Sequence, residues 1–209
     1  MTGGGPGSGE GAGAGAPREW IDGCVAAQVS LDEALAGLDD ATARSPSLLP
    51  GWSVGHVLTH IARNADSVVW RLEGAARSEL RDQYPGGLVQ RRDDIEAGAE
   101  RPADELVADV RASSAAVAAV MAALTDEAWD APSRTARGVV EPARDAVFSR
   151  WREVVVHHGD LGLRTVPLPP ALVDAWLARE LPRLGERTDA AALLAWVIGR
   201  GDAPALAPW

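Results

Sequence analysis

Residues 53–76, SVGHVLTHIARNADSVVWRLEGAA, carry the pattern on which the fold prediction rests. Their apolar side chains recur with the period of an amphipathic helix, in a stripe centred between Val57 and Leu58. Ser53 stands at the position of a helix N-cap, because its hydroxyl can accept a hydrogen bond from a backbone N–H of the first turn. The pattern predicts a helix over residues 53–76 with one face in a protein core.

Three other segments show helical periodicity, and they predict helices over about residues 17–40, 102–124 and 142–161. Residues 77–101 are predicted to form a long connection with one helical turn near 92–99. Residues 125–142 are predicted to form another loop, anchored by Trp129. Four amphipathic segments of this length predict a four-helix bundle.

The two ends of the chain differ from this bundle in composition. Residues 1–16 are rich in glycine and contain no large apolar side chain after the first methionine, so we expect a disordered tail. The bundle is expected over residues 17–165, and a short extension over 166–209. Two helical stretches are predicted in the extension, about 170–185 and 188–199. No alternating run predicts a substantial sheet, so the predicted class is all-α.

The charge balance excludes several classes of partner. The 209 residues carry 20 basic and 30 acidic side chains, a formal net charge of −10. Such a chain lacks the basic surface that binds phosphate backbones or anionic lipid, so we expect no nucleic acid and no membrane as partner. No window approaches the roughly 18 uninterrupted apolar residues of a membrane span, and no signal-peptide pattern opens the chain. With Cys24 as the single cysteine, these features predict a cytoplasmic protein.

The four histidines form two clusters, His56 with His60 and His157 with His158. On the predicted second helix, His60 falls near the edge of the apolar stripe, whereas His56 lies further towards solvent. On the predicted fourth helix, Glu153 and His157 are four residues apart, so their side chains share one face. His158 points into the apolar stripe, where it fills space and makes one hydrogen bond.

Two imidazoles and one carboxylate from facing helices are the ligand set of a zinc site that keeps a coordination position open for chemistry. Nickel and iron also accept these ligands. From spacing alone two other interpretations stay open: Glu153 and His157 as an exposed ion pair, and His60 as a hydrogen-bonded core residue.

Five segments resemble, in order, the sequence of a known enzyme family. They are Leu49–Asp66 (LPGWSVGHVLTHIARNAD), Tyr84–Gly87 (YPGG), Asp94–Ala99 (DIEAGA), Arg152–Gly162 (REVVVHHGDLG) and Ala195–Gly201 (AWVIGRG). In these segments the chain resembles the mycothiol-dependent maleylpyruvate isomerases of the DinB/YfiT-like superfamily. All basic residues are arginine, which is typical of GC-rich codon usage and agrees with mycothiol being the thiol of actinobacteria.

The resemblance implies a DinB-like bundle that binds a divalent metal, usually zinc, and uses mycothiol as thiol cosubstrate. Carried over residue by residue, the implied metal ligands are His60, Glu153 and His157. It also implies a catalytic role for an arginine of the C-terminal domain, which corresponds to Arg200. Isomerases of the family have a small sheet before this arginine, but here only residues 185–190 separate the two helical stretches. We therefore expect a reduced, mainly helical extension.

These observations predict an enzyme that ionises mycothiol at a metal for addition to an electrophilic small molecule. With maleylpyruvate, addition to the cis double bond, rotation and loss of the thiol give the trans isomer; if the adduct is retained, the same site is an S-transferase. The alternative is a non-catalytic metal-binding or regulatory module of the same fold. A purely structural role for the histidines is a third interpretation.

Overall fold

The structure is a computed structural model, and it describes residues 15–206. The predicted disordered tail, residues 1–16, lies outside the described residues except for its last two. In chain order the elements are α1 (Arg18–Ala34), α2 (Asp40–Ala43), α3 (Val54–Ala76), α4 (Gly87–Gly98), α5 (Ala103–Ala123), β1 (Pro132–Arg134), β2 (Val140–Pro142), α6 (Arg144–Asp160), α7 (Pro170–Glu180), α8 (Leu184–Arg187) and α9 (Ala190–Val197). Two 3₁₀ turns, Glu127–Asp130 and Leu181–Arg183, complete this inventory of the described chain.

The long helices α1, α3, α5 and α6 form the predicted bundle. α3 packs against α5 and α6, and α1 packs against α6 and α5. Ser53 caps α3 as predicted, because its Oγ accepts a hydrogen bond from the backbone N–H of His56 at 3.3 Å. Apolar residues of the bundle helices, together with Trp129 of the loop after α5, are removed from water in two clusters, which supply the main driving force for folding. The first contains Leu31, Val57, Leu58, Ile61, Leu106, Val110 and Val154, and the second Val68, Leu72, Val117, Met121, Trp129 and Val147.

α5 is the one described helix that is long and apolar enough to cross a membrane, by length and composition alone. Core helices of soluble proteins pass the same test. Asp109 of α5 accepts hydrogen bonds from Arg63 of α3 at 2.8 Å and from Arg101 at 2.6 Å. This helix therefore packs within the bundle through both an apolar face and ion pairs.

The first predicted helix was too long. α1 ends at Ala34 instead of residue 40, because Gly37 adopts a φ of 80°, a left-handed conformation that turns the chain. Asp39 then caps the short α2 through a hydrogen bond from the backbone N–H of Thr42 at 2.7 Å. The apolar residues after Ala34 sit in this turn and not on the helix.

The segment 77–101 was also predicted wrongly, since it contains the twelve-residue helix α4 instead of a single turn. Only Ile95 and Gly98 of α4 are buried, so its sequence has little of the apolar periodicity by which helices are recognised. Gly55 permits the close approach of α3 to the end of α4, because a Cβ at this position would lie 2.1 Å from the carbonyl oxygen of Ala99.

Trp129 is buried in the loop after α5, as predicted, with 1% of its surface exposed. This loop also contains the short antiparallel pair β1 and β2, in which Ser133 is opposite Glu141. Arg71 of α3 donates hydrogen bonds to Ser133 at 2.7 Å and to Glu141 at 2.8 Å. The hairpin is thereby tied to the bundle.

The chain divides into two compact units between Val166 and Pro167. The second unit contains α7, α8, α9 and the 3₁₀ turn between α7 and α8. Within it Arg187 forms an ion pair with Glu180 at 2.9 Å. Its described residues, 167–206, include no strand, so the prediction of a short helical extension is confirmed.

Candidate metal centre

His60 stands in the first half of α3 with only 5% of its side chain exposed. Its Nε2 lies 3.0 Å from Oε2 of Glu153 on α6. On the other side of the ring, Nδ1 accepts a hydrogen bond from Nη2 of Arg91 on α4 at 2.7 Å. Three different helices therefore meet at this imidazole.

Glu153 and His157 lie one turn apart on α6, as their spacing predicts. Nε2 of His157 is 3.3 Å from Oε2 of Glu153, and Nδ1 donates a hydrogen bond to Oδ2 of Asp160 at 2.8 Å. The rings of His60 and His157 stand nearly perpendicular, with an interplanar angle of 86° and centroids 4.5 Å apart. The two imidazoles thus flank one carboxylate oxygen.

The donor atoms of His60, Glu153 and His157 all lie within 4.8 Å of one another. Two ligand atoms bound at about 2.1 Å with tetrahedral geometry are roughly 3.4 Å apart, close to the distances from Glu153 to both histidines. Asp160 behind His157 is the carboxylate that often orients a metal-binding imidazole. The residues present therefore fit a zinc-type site with three protein ligands.

The charges of the cluster follow from its burial and hydrogen bonds. Burial alone would raise the pKa of the Glu153 carboxyl, but hydrogen bonds to His157 and His60 outweigh it and hold the pKa well below its usual range. Burial lowers the pKa of His60 despite its hydrogen bond with Glu153. Burial also opposes protonation of His157, but Glu153 and Asp160 outweigh it and raise the pKa of His157. An ionised carboxylate thus lies between a neutral and a more basic imidazole.

Trp52, just before α3, borders the cluster. Its ring is 5.7 Å from that of His60 and 6.1 Å from that of His56, measured between centroids. His56 belongs to the cap of α3, where Nδ1 lies 2.7 Å from Oγ of Ser53, and its Nε2 faces Oε2 of Glu96 at 3.4 Å. The structure therefore separates His56 from the three donors.

His158 is also outside the cluster, as the predicted stripe of α6 requires. It is 1% exposed, and Nε2 accepts a hydrogen bond from Nε of Arg164 at 3.2 Å. Burial, followed by the positive charge of Arg164, lowers the pKa of His158 to about 4. His158 is therefore a neutral core residue at pH 7.

Arg150 is buried three residues before Glu153 on α6, with 1% of its surface exposed. Its Nη1 donates to the carbonyl oxygen of Ile61 at 2.7 Å and to Oδ1 of Asn64 at 2.9 Å. Its Nη2 donates to Oγ of Ser114 on α5 at 3.2 Å. These bonds fix the relative positions of α3 and α6, the two helices that carry the donor atoms.

Sequence reasoning missed two residues that contact the cluster, Arg91 and Asp160. The spacing of Asp160 three residues after His157 was a usable signal, because both lie on one face of a helix. Arg91 gave no such signal, since it belongs to α4, the helix that periodicity did not reveal. Arg200 lies in the second unit just after α9 and is exposed, and its catalytic role stays a prediction.

Fold and site together define a DinB-like helical bundle with a two-histidine, one-carboxylate cluster between its helices. Residues 24–162 match the family described as the mycothiol maleylpyruvate isomerase N-terminal domain, and the chain belongs to this family of enzymes. The resemblance found in the sequence is thereby confirmed.

Solved structures agree with this assignment. A mycothiol-dependent maleylpyruvate isomerase superposes with a TM-score of 0.74 at 25% identity, over 78% of this chain and 68% of that one. A histidine-to-alanine mutant described by the same name gives a TM-score of 0.73 at 24% identity, with the same coverages. None of the curated protein sequences compared with the chain matches it.

Proposed function

We propose that this enzyme is a metal-dependent isomerase or S-transferase that uses mycothiol as its thiol. The observation that carries the proposal is the convergence of His60, Glu153 and His157, whose donor atoms lie within 4.8 Å of one another. Family membership supports mycothiol as the thiol. Residues 17–165 would form the metal-binding domain and 166–209 the extension, in the cytoplasm of a mycothiol-producing actinobacterium.

The ligand atoms of the proposed site are Nε2 of His60, Oε2 of Glu153 and Nε2 of His157. A zinc ion held there would lower the pKa of a coordinating thiol, which is about 8.5 in a free cysteine, so that the sulfur would be ionised at neutral pH. Glu153 is already a carboxylate, since its pKa is held low. Asp160 accepts a hydrogen bond from Nδ1–H of His157, which holds the proton on Nδ1 and leaves Nε2 facing the cluster.

The reaction on the acceptor needs one C–S bond to form and the same bond to break. The thiolate adds to one carbon of a cis double bond conjugated to a carbonyl, and the electron pair moves onto the carbonyl oxygen. The former double bond is then single and rotates, and return of the electron pair expels the thiolate with the bond trans. If protonation traps the adduct first, the product is a thioether and the enzyme is a transferase.

Native mass spectrometry with zinc and mycothiol tests the proposal. The wild-type chain should bind one zinc ion and, only with it, one mycothiol. His60→Ala should lose both, whereas His56→Gln, changed one turn earlier on the same helix, should keep both. Mycothiol binding retained by His60→Ala would contradict the proposal, and metal binding without any conjugation of electrophiles would favour the regulatory module.

Arg200 bears on the choice between isomerase and transferase. We propose that it acts on the acceptor during isomerisation, as the family resemblance implies. Arg200→Ala should then slow maleylpyruvate isomerisation at least about tenfold while mycothiol binding is unchanged. An isomerase rate equal to that of the wild type would remove Arg200 from the mechanism.

A further inference from the structure

Arg91 on α4 directs its guanidinium at the candidate site. Its Nη2 is 2.7 Å from Nδ1 of His60, and the guanidinium carbon lies 5.4 Å from the centre of the Tyr84 ring. Within the described residues no carboxylate lies within ion-pair distance of Arg91, whereas Arg63 and Arg101 both pair with Asp109. The contact with an imidazole is thus an unusual use of an arginine.

The contact with Arg91 determines which ring nitrogen of His60 carries the proton. A guanidinium has donors only, so Nδ1 of His60 must be the acceptor. The ring proton of the neutral imidazole is then on Nε2, which donates to Glu153 at 3.0 Å. A metal ion bound at Nε2 needs the lone pair of that nitrogen and moves the proton to Nδ1. The Nδ1–H of His60 would then point at an N–H of Arg91, and two donors cannot form a hydrogen bond. The hydrogen bond from Arg91 and the metal bond at Nε2 therefore exclude each other.

Binding of the metal must therefore release the guanidinium of Arg91 beside the cluster. A guanidinium without a carboxylate partner presents a fork of donors that matches a carboxylate of a ligand. We propose that Arg91 exchanges His60 for an anionic group of the electrophilic acceptor, and so makes the loaded enzyme selective for acceptors that carry a carboxylate. This inference rests on the proposed function, because it assumes the same metal at His60.

The first test measures zinc affinity by competition with a chromophoric chelator. Arg91→Gln removes the donor that holds the wrong tautomer of His60, and its amide oxygen can accept from Nδ1–H. It should therefore bind zinc about tenfold more tightly than the wild type, the effect of losing one hydrogen bond from a charged donor. Arg92→Gln is the matched control, since Arg92 is exposed and its guanidinium bonds to Asp93 at 3.0 Å. Its zinc affinity should equal that of the wild type.

The second test compares two acceptors in the mycothiol-dependent reaction, followed both as cis–trans isomerisation and as conjugation: cis-acetylacrylate and its methyl ester. Arg91→Gln should raise the KM for the acid at least about tenfold and change that for the ester less than about twofold. Arg91→Met should act like Arg91→Gln on the acid, and Arg92→Gln should change neither KM.

The outcomes distinguish a failure of the role proposed for Arg91 from a failure of the proposed function. Equal zinc affinity in the wild type and Arg91→Gln, or an equal loss with acid and ester, would overturn the role of Arg91 and leave the proposed function intact. Failure of the wild type itself to bind zinc would instead defeat the proposed function.

Discussion

Asp160 illustrates how a single residue prepares the site. Its Oδ2 accepts a hydrogen bond from Nδ1–H of His157 at 2.8 Å, and its charge contributes to the raised pKa of that histidine. A carboxylate behind a metal-binding imidazole fixes the tautomer and increases the basicity of the ligand nitrogen. The value of Asp160 should therefore appear in metal affinity.

Asp160→Asn keeps an acceptor for His157 and removes its charge. We expect zinc affinity to fall by about tenfold, at the lower end of the effect typical for such partners. Competition titration measures it, and Asp93→Asn, exposed on α4, removes the same charge away from the cluster. Equal affinities in the two variants would show that Asp160 does not support the ligand.

The pKa of the neighbouring imidazole, His158, shifts in the opposite direction from that of His157, because burial and Arg164 lower it to about 4. The unfolded chain then takes up a proton near pH 6.5, before the folded chain does. The unfolded state binds more protons between these values, so the free energy of unfolding should decline as the pH falls from about 6.5 to 4.

Urea denaturation at several pH values, with a chelator present, measures this decline. It should be smaller in His158→Gln, whose amide oxygen can still accept from Arg164. A proton NMR titration of the histidine rings gives an independent check. A midpoint for His158 near pH 6.5 would contradict the assignment.

At the scale of elements, the approach of α3 and α4 decides whether Arg91 reaches His60. The two helices touch where Gly55 faces the carbonyl of Ala99, and a Cβ at Gly55 would lie 2.1 Å from that oxygen. The contact between Nε2 of His56 and Oε2 of Glu96, at 3.4 Å, joins the same helices. The glycine is therefore needed for packing and not for backbone flexibility.

Gly55→Ala should lower the free energy of unfolding by about 1–3 kcal/mol, because the helices must move apart. Gly159→Ala in α6 is the control, since nothing lies within 4 Å of a Cβ built there. It should instead raise the free energy of unfolding by about 0.5–1 kcal/mol, through the lower entropy of its unfolded chain. Urea denaturation measures both, and equal effects would contradict the close approach.

The elements differ in how far the sequence predicted them, for physical reasons. α3, α5 and α6 were predicted to within two residues, because each buries an apolar stripe that repeats with the helical period. α4 was missed because it buries only Ile95 and Gly98, so its helix depends on contacts with α3 that no local pattern records. The residues of the candidate site differ in the same way. Helical spacing predicted that Glu153 lies beside His157, whereas the position of Arg91 next to His60 depends on the packing of α4.

At the scale of the whole molecule, the candidate metal cluster lies entirely within the first unit. All three donor atoms, with Asp160 and Arg91, come from residues before Val166, and the family match ends at residue 162. The buried Arg150 joins three helices of this unit beneath the site. Metal binding at the cluster should therefore raise the free energy of unfolding of the whole bundle.

A ligand that binds only the folded chain raises the free energy of unfolding by RT ln(1 + [L]/Kd), which is about 2.7 kcal/mol at one hundred times the Kd. For a protein of this length such a gain raises the Tm by roughly 5–10 °C. Zinc at that excess should produce this shift in the wild type and in His56→Gln, and a chelator should reverse it. His157→Ala removes one of the three ligands and should show less than half of the shift. Differential scanning calorimetry decides the point: an undiminished shift in His157→Ala would place the zinc ion elsewhere on this acidic chain, and no shift in any variant would mean that the cluster holds no metal.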